Sequence, residues 1–164
     1  MKEIVVIFSN EEKENSHILQ YFDKHNIKYA RKNIKTCDYT AMIPANEELG
    51  LPFDITLESE ILIERKANLD ELSLNCCQKR TEFENEWIRA KETGADLYLV
   101  IESGSLSDIQ KHNYRSQYNE KAYYNTILSM ANKYNFKVDF VTKELMPIHI
   151  LRLLQLKLKH ILEE

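Results

Sequence analysis

Residues 61–70 read Ile-Leu-Ile-Glu-Arg-Lys-Ala-Asn-Leu-Asp. Three aliphatic side chains in a row suit a buried strand. The run then stops at Glu64, Arg65 and Lys66, and Asp70 follows four residues later. Charges at the end of a buried strand are costly unless something there uses them. Side chains alternate along a strand, so Glu64 and Lys66 share one face. A carboxylate beside an ammonium is the pair that metal-assisted phosphodiester hydrolysis requires. The carboxylate offers oxygen to a hard divalent cation, and the ammonium positions the attacking water or steadies phosphate charge.

The elements on either side of this stretch alternate between strand and helix. Residues 3–8 predict a buried strand, and Ser16 opens a helix through about Asn26, with Ile18, Leu19 and Phe22 on one face. Residues 28–34 and 38–43 read as two strands joined by a turn near Thr36-Cys37, and residues 45–54, with Gly50 and Pro52, as a loop. The central strand is expected over 58–65. Asn68 or Asp70 begins a helix, and a second runs from Thr81 to Thr93, where Gly94 suits its stop. Asp96 to Ile101 is a strong buried strand. Glu120–Tyr134 predicts a helix, 136–141 a strand, and Pro147–Leu162 a last helix. The alternation predicts an α/β fold, a mixed central sheet flanked by helices.

At 164 residues the chain is expected to form a single domain, residues 1–164, with a full core. No apolar stretch approaches the roughly 20 residues of a membrane span. Met1–Phe8 reads as a strand rather than a signal peptide. Three cysteines make neither a disulfide framework nor a zinc spacing, which suits a reduced, intracellular (cytoplasmic) protein. Cys76 and Cys77 are expected in the core of a helix. The net charge of −4 argues against strong nonspecific affinity for nucleic acid. It is compatible with a nuclease, whose cation site must itself be acidic. Lys28, Arg31, Lys32 and Lys35 form a local run without acids. The last helix carries leucines around more than half of its surface, which exceeds one buried stripe and favours a dimer face over 147–162.

A phosphodiesterase site needs carboxylates converging from several segments. Asp38, Glu64 and Asp70, with Lys66 beside them, are the candidates, and Glu102 also ends a buried strand. Cys37-Asp-Tyr-Thr40 followed by Ile63-Glu-Arg-Lys-Ala-Asn-Leu-Asp-Glu-Leu72 resembles the XPF-type nuclease domain, which carries Gly-Asp-Tyr and then Glu-Arg-Lys-x-x-x-Asp-Leu. Arg80-Thr-Glu-Phe-Glu-Asn-Glu86 and Leu97–Glu102 resemble the next helix and strand of its small standalone phage and bacterial members. The likeness runs over roughly 30–162.

The resemblance implies the restriction-endonuclease-like fold with a PD-(D/E)xK kind of site. It implies that Asp38 and Glu64 bind Mg²⁺ or Mn²⁺, together with the main-chain carbonyl of Arg65. Lys66 would orient the water, and Asp70 would position Lys66 or Arg65. The Arg65 guanidinium and Arg80 would meet DNA phosphate, and Glu12 would support the site. The implied activity is an endonuclease selective for branched or flap-like DNA, in repair, recombination or phage DNA processing. The implied assembly is a homodimer or a pairing with another subunit, and no membrane is involved. The alternative is a noncatalytic DNA-binding or scaffold member, which degenerate acids would mark; here the acids stand. Two positions depart from the pattern. Ser9-Asn-Glu-Glu12 lacks the family's first Asp and its Arg, and Cys37 replaces a Gly, which a turn accepts easily only outside the left-handed region.

Overall fold

The computed structural model describes residues 3–163. Seven strands form one mixed sheet. They are β1 (Val5–Phe8), β2 (Tyr29–Arg31), β3 (Tyr39–Ile43), β4 (Ile55–Thr56), β5 (Ile61–Lys66), β6 (Asp96–Glu102) and β7 (Phe136–Val141). The order across the sheet is β2-β1-β3-β5-β6-β7, with β4 paired to β3. β1 runs parallel to β2 and antiparallel to β3, and β5, β6 and β7 run parallel to one another. The helices are α1 (Ser16–Lys24), α2 (Leu69–Cys76), α3 (Arg80–Glu92), α4 (Leu106–Gln110), α5 (Glu120–Tyr134) and α6 (Met146–Glu163). The predicted α/β architecture is therefore present.

The strands over 28–34 and 38–43 do not pair with each other. β2 is short and lies on the far side of β1, because the helical return through α1 delivers the chain parallel to β1. Residues 32–38 carry the chain past β1 from β2 to β3, a longer crossing than a hairpin turn.

The sheet divides the apolar side chains into two layers. On one face Leu62, Leu99 and Ile101 pack with Leu72, Phe83, Trp87 and Ile127. On the other, Ile61, Ile63 and Val100 pack with Ile18, Phe22, Ile150, Leu154 and Leu158. β5 thus alternates faces as a strand must, and its charged end continues the alternation. Glu64 and Lys66 follow Leu62 toward α2 and α3. Arg65 follows Ile63 toward α1 and α6. This parity separates the two halves of the charged triplet.

α6 sinks one stripe into this core: Ile150, Leu151, Leu154 and Leu158 are buried. Leu156 and Leu162 remain about half exposed, at 51% and 50%. Cys76 is buried, but Cys77 is exposed at the end of α2, so only the first of the pair is a core residue. No helix among the described residues is long and apolar enough to cross a membrane.

Candidate active site

The turn before β3, the end of β5 and the facing sides of α2 and α3 enclose a pocket of about 710 Å³. Asp38, Glu64, Lys66, Glu71 and Glu86 line it. Asp38 stands immediately before β3, fixed by its own backbone, whose N–H donates to Ile63 O at 2.9 Å. Its Oδ2 accepts the Arg65 backbone N–H at 2.8 Å, which ties the aspartate to the neighbouring strand. Lys66 Nζ lies 3.1 Å from Glu64 Oε1 and 4.0 Å from Glu71 Oε1, and sits over the Phe83 ring at 5.0 Å. The expected pairing of Glu64 with Lys66 on one face is thus observed.

Glu86 closes the Arg80–Glu86 stretch of the family resemblance, yet the sequence reading assigns it no role in the site. It comes from α3, where Phe83 and Trp87, three residues before and one after, are buried. That helical spacing places Glu86 at the edge of the inward face and is the signal that could have found it. Its Oε1 accepts the Cys37 N–H at 3.2 Å. Burial, then the charge of Glu64, pushes the Glu86 carboxyl up to about 9. Burial, then the charge of Glu12, raises Asp38 to about 7, and burial, then the charge of Asp38, raises Glu64 to about 7. Burial alone would lower the Lys66 ammonium; Glu64 and Asp38 outweigh it and hold the ammonium above its usual range.

Three carboxyls therefore face one ammonium in a poorly solvated pocket. Glu64 Oε2 is buried without any hydrogen-bond partner. An excess of acid and an unused carboxylate oxygen are what a hard divalent cation satisfies, so the donor set fits Mg²⁺ or Mn²⁺. Lys35, Lys79 and Arg89 stand exposed around the same pocket and give its rim positive charge. Of the run at 28–35, only Lys35 reaches it. Lys28 pairs with Glu3, and Arg31 turns back to the carbonyls of Asn10 and Glu12.

Of the other expected site residues, Arg65 and Glu12 border the pocket, whereas Asp70 and Arg80 do not. The Arg65 guanidinium is on the opposite face, 4% exposed, with Nη1 3.1 Å from Glu12 Oε1 and Nη2 3.2 Å from Glu102 Oε2. It braces the sheet and is not free for DNA phosphate. Glu12 is buried as its partner, and Glu102 also meets His17. Asp70 does not line the pocket; its Oδ1 accepts the N–H groups of Arg115 and Ser116 at 2.7 and 3.3 Å. The helix begins at Leu69, so Asp70 turns toward that loop while Glu71 turns to Lys66. Arg80 is exposed and reaches Glu84 at 3.4 Å rather than the pocket. Asp70→Ala is expected to destabilise the fold by about 1–2 kcal/mol through two released N–H groups. It should leave Mn²⁺ affinity unchanged, as thermal unfolding and a Mn²⁺ titration on one sample will show.

Tyr114, Tyr118 and Tyr123 form the lining of the same loop rather than an open stacking surface. Their hydroxyls are bound to Tyr118 O, Thr126 Oγ1 and Leu69 O. His112 stacks on Tyr114 with ring centroids 4.0 Å apart and is held by Glu120 and Ser116 O.

Comparison with known proteins agrees with this fold. The ERCC4 domain family model matches residues 9–154. The structure of XPF from Aeropyrum pernix in complex with DNA is similar at a TM-score of 0.67, with 15% identity over 94% of this chain and 65% of that one. A second structure of XPF from Aeropyrum pernix gives 0.64, again with 15% identity, over 93% of this chain and 60% of that one. The chain thus spans less than two thirds of either XPF chain. No curated protein matches it in sequence. A family match over nearly the whole chain, on a restriction-endonuclease-like sheet whose Glu-Arg-Lys strand ends in an acidic pocket, makes this protein a member of the ERCC4 domain family of XPF-type nucleases.

Proposed function

We propose that the chain, acting as one domain over 1–164, is a divalent-cation-dependent DNA endonuclease. The observation that carries this reading is the acid excess of Asp38, Glu64 and Glu86 around Lys66, with a buried Glu64 oxygen left without a partner. Asp38 and Glu64, with the Arg65 main-chain carbonyl, would hold Mg²⁺ or Mn²⁺. When bound, the cation would neutralise charge on the scissile phosphate and make water more acidic. Lys66 keeps its proton and orients the attacking water while its charge opposes that building on the phosphate. Glu64 and Glu71 hold the ammonium in place. Lys35, Lys79 and Arg89 receive the flanking phosphates, a contact that weakens as salt rises.

The substrate we favour is branched or flap-like DNA, met in repair, recombination or phage DNA processing. The exposed Lys35, Lys79 and Arg89 gather around one pocket, which suits a localised feature of the DNA. Labelled flap, splayed-arm and plain duplex DNA, each with Mg²⁺ or Mn²⁺, test this. Preferential cutting near the junction is expected; equal cutting of plain duplex would overturn the structural selectivity.

We further propose that the exposed side of α6 pairs with a second copy or another subunit. Leu156 and Leu162 border a groove of about 650 Å³ with Ile27, Leu151 and Leu158. Sedimentation of Leu156→Glu should show monomer where the parent shows dimer; a monomeric parent at all concentrations would refute self-association. The intact acids oppose the noncatalytic scaffold reading.

A further inference from the structure

Cys37 is the unusual donor in the pocket. Its φ of +66° lies in the left-handed region, so this residue does occupy the conformation that glycine suits. The side chain is nonetheless retained and buried, and it lines the pocket. Its Sγ and one carboxylate oxygen each from Glu64 and Glu86 all lie within 4.8 Å of one another. These donors come from three segments: the turn before β3, β5, and α3. The Cys37 backbone also donates to Glu86, which locks turn and helix together. Glu64 is only 3% exposed, and its Oε2 has no other partner.

A thiol with two carboxylates is a different donor set from Asp38 with Glu64. Hard Mg²⁺ gains nothing from sulfur. Zn²⁺ takes Cys, Asp and Glu at about 2.0–2.3 Å and gathers such donors tetrahedrally. It also outranks Mn²⁺ in affinity for a common site. An ion at the centre of these three donors needs each to move inward only modestly. The thiol proton and the proton that Glu86 holds both leave to solvent as the bonds to the metal form.

We propose that Cys37, Glu64 and Glu86 form a site for a thiophilic divalent cation such as Zn²⁺, and that its occupancy excludes the hard cation by capturing Glu64. The exclusion rests on the nuclease reading above, while the thiophilic site itself stands on these three donors. The pocket then has two mutually exclusive states: one ready for Mg²⁺ or Mn²⁺, and one closed by Zn²⁺. The sulfur is the chain's own addition, since the XPF-type pattern has glycine there.

Titrating the full chain with Co²⁺ tests the site directly, because thiolate ligation gives a charge-transfer band in the near ultraviolet. The expected result is one equivalent of Co²⁺ producing the band, its loss on adding Zn²⁺, its absence in Cys37→Gly, and its retention in Cys77→Ser. Glycine suits the backbone at 37, and a circular dichroism spectrum will confirm that this variant folds. Glu86→Gln, which keeps the side-chain shape, should require more Co²⁺ for the same band. In parallel, Zn²⁺ should release bound Mn²⁺ from the parent, seen as a rising free-Mn²⁺ paramagnetic signal, and should do so far less from Cys37→Gly. No band, or a band that persists in Cys37→Gly, overturns the site. Retention of Mn²⁺ by the Zn²⁺-loaded parent overturns the exclusion. A Cys37-dependent band in a protein that never cuts DNA would uphold the thiophilic site and refute the nuclease reading alone.

Discussion

Glu64→Gln is expected to lower DNA cleavage by a factor on the order of 10³, and to make the cation-free protein more stable at pH 8. The two effects share one cause. Glu64 is buried beside Asp38 and Glu86, and with Asp38 it ionises in the fold only near pH 7, against about 4 in the unfolded chain. A carboxyl whose folded pKa is raised stabilises the fold below its unfolded pKa. That stability is lost as pH climbs through the folded value. Between pH 4.5 and 7 the cation-free parent should therefore lose on the order of 3 kcal/mol. The further rise of Glu86 to about 9 extends the loss toward higher pH.

Glutamine removes one of the crowded charges and can donate a hydrogen bond to a neighbouring carboxylate. The variant should therefore show a shallower fall in urea midpoint over this range. A saturating divalent cation should restore the parent, by about 2.7 kcal/mol at a hundred times its Kd, and should not restore Glu64→Gln. A parent whose stability is flat from pH 4.5 to 8, or a variant that still gains from Mn²⁺, would contradict this account of the pocket.

Arg65→Ala is expected to cost about 3–5 kcal/mol, enough to unfold much of the protein at moderate temperature. The guanidinium is clamped between Glu12 and Glu102, and it also donates to the carbonyls of Lys13 and Glu14. Truncation leaves two carboxylates buried without their cation. The arrangement is already incompletely satisfied, since Arg65 Nε and Glu12 Oε2 have no partner. Arg65→Met combined with Glu12→Gln and Glu102→Gln should recover much of the loss, because it removes the charges together. The check is the urea midpoint of each variant. A stable Arg65→Ala protein that loses only DNA affinity would instead restore the phosphate-binding role that the motif suggests.

The sheet and its helices were legible because apolar periodicity marks buried strands and helix faces wherever they lie. β6, α5 and β7 agree with their predicted spans within a residue. Pairing was less legible. That β2 would cross to the outer side of β1 depends on the length of α1 and its packing, which no local pattern encodes. At the site, the alternation that joined Glu64 to Lys66 also assigned Arg65 to the opposite face. The role implied for the Arg65 guanidinium at DNA phosphate ran against that parity. Asp70 and Glu71 differ by one position in the first turn of α2, so the direction of each depends on where the helix starts. Glu86 carried a helical signal through Phe83 and Trp87, but its approach to Glu64 follows from how α3 lies across the sheet. The left-handed backbone at Cys37 was signalled only by the glycine of the family pattern, because cysteine itself has no preference for it.

The most direct test of the central claim is cleavage of one labelled splayed-arm DNA by the parent and by Lys66→Ala, with DNA binding measured on the same samples. The account predicts cutting that requires Mg²⁺ or Mn²⁺ and is lost in Lys66→Ala while binding persists. Undiminished cutting by Lys66→Ala, or a parent that binds the DNA and never cuts it with either cation, would contradict it.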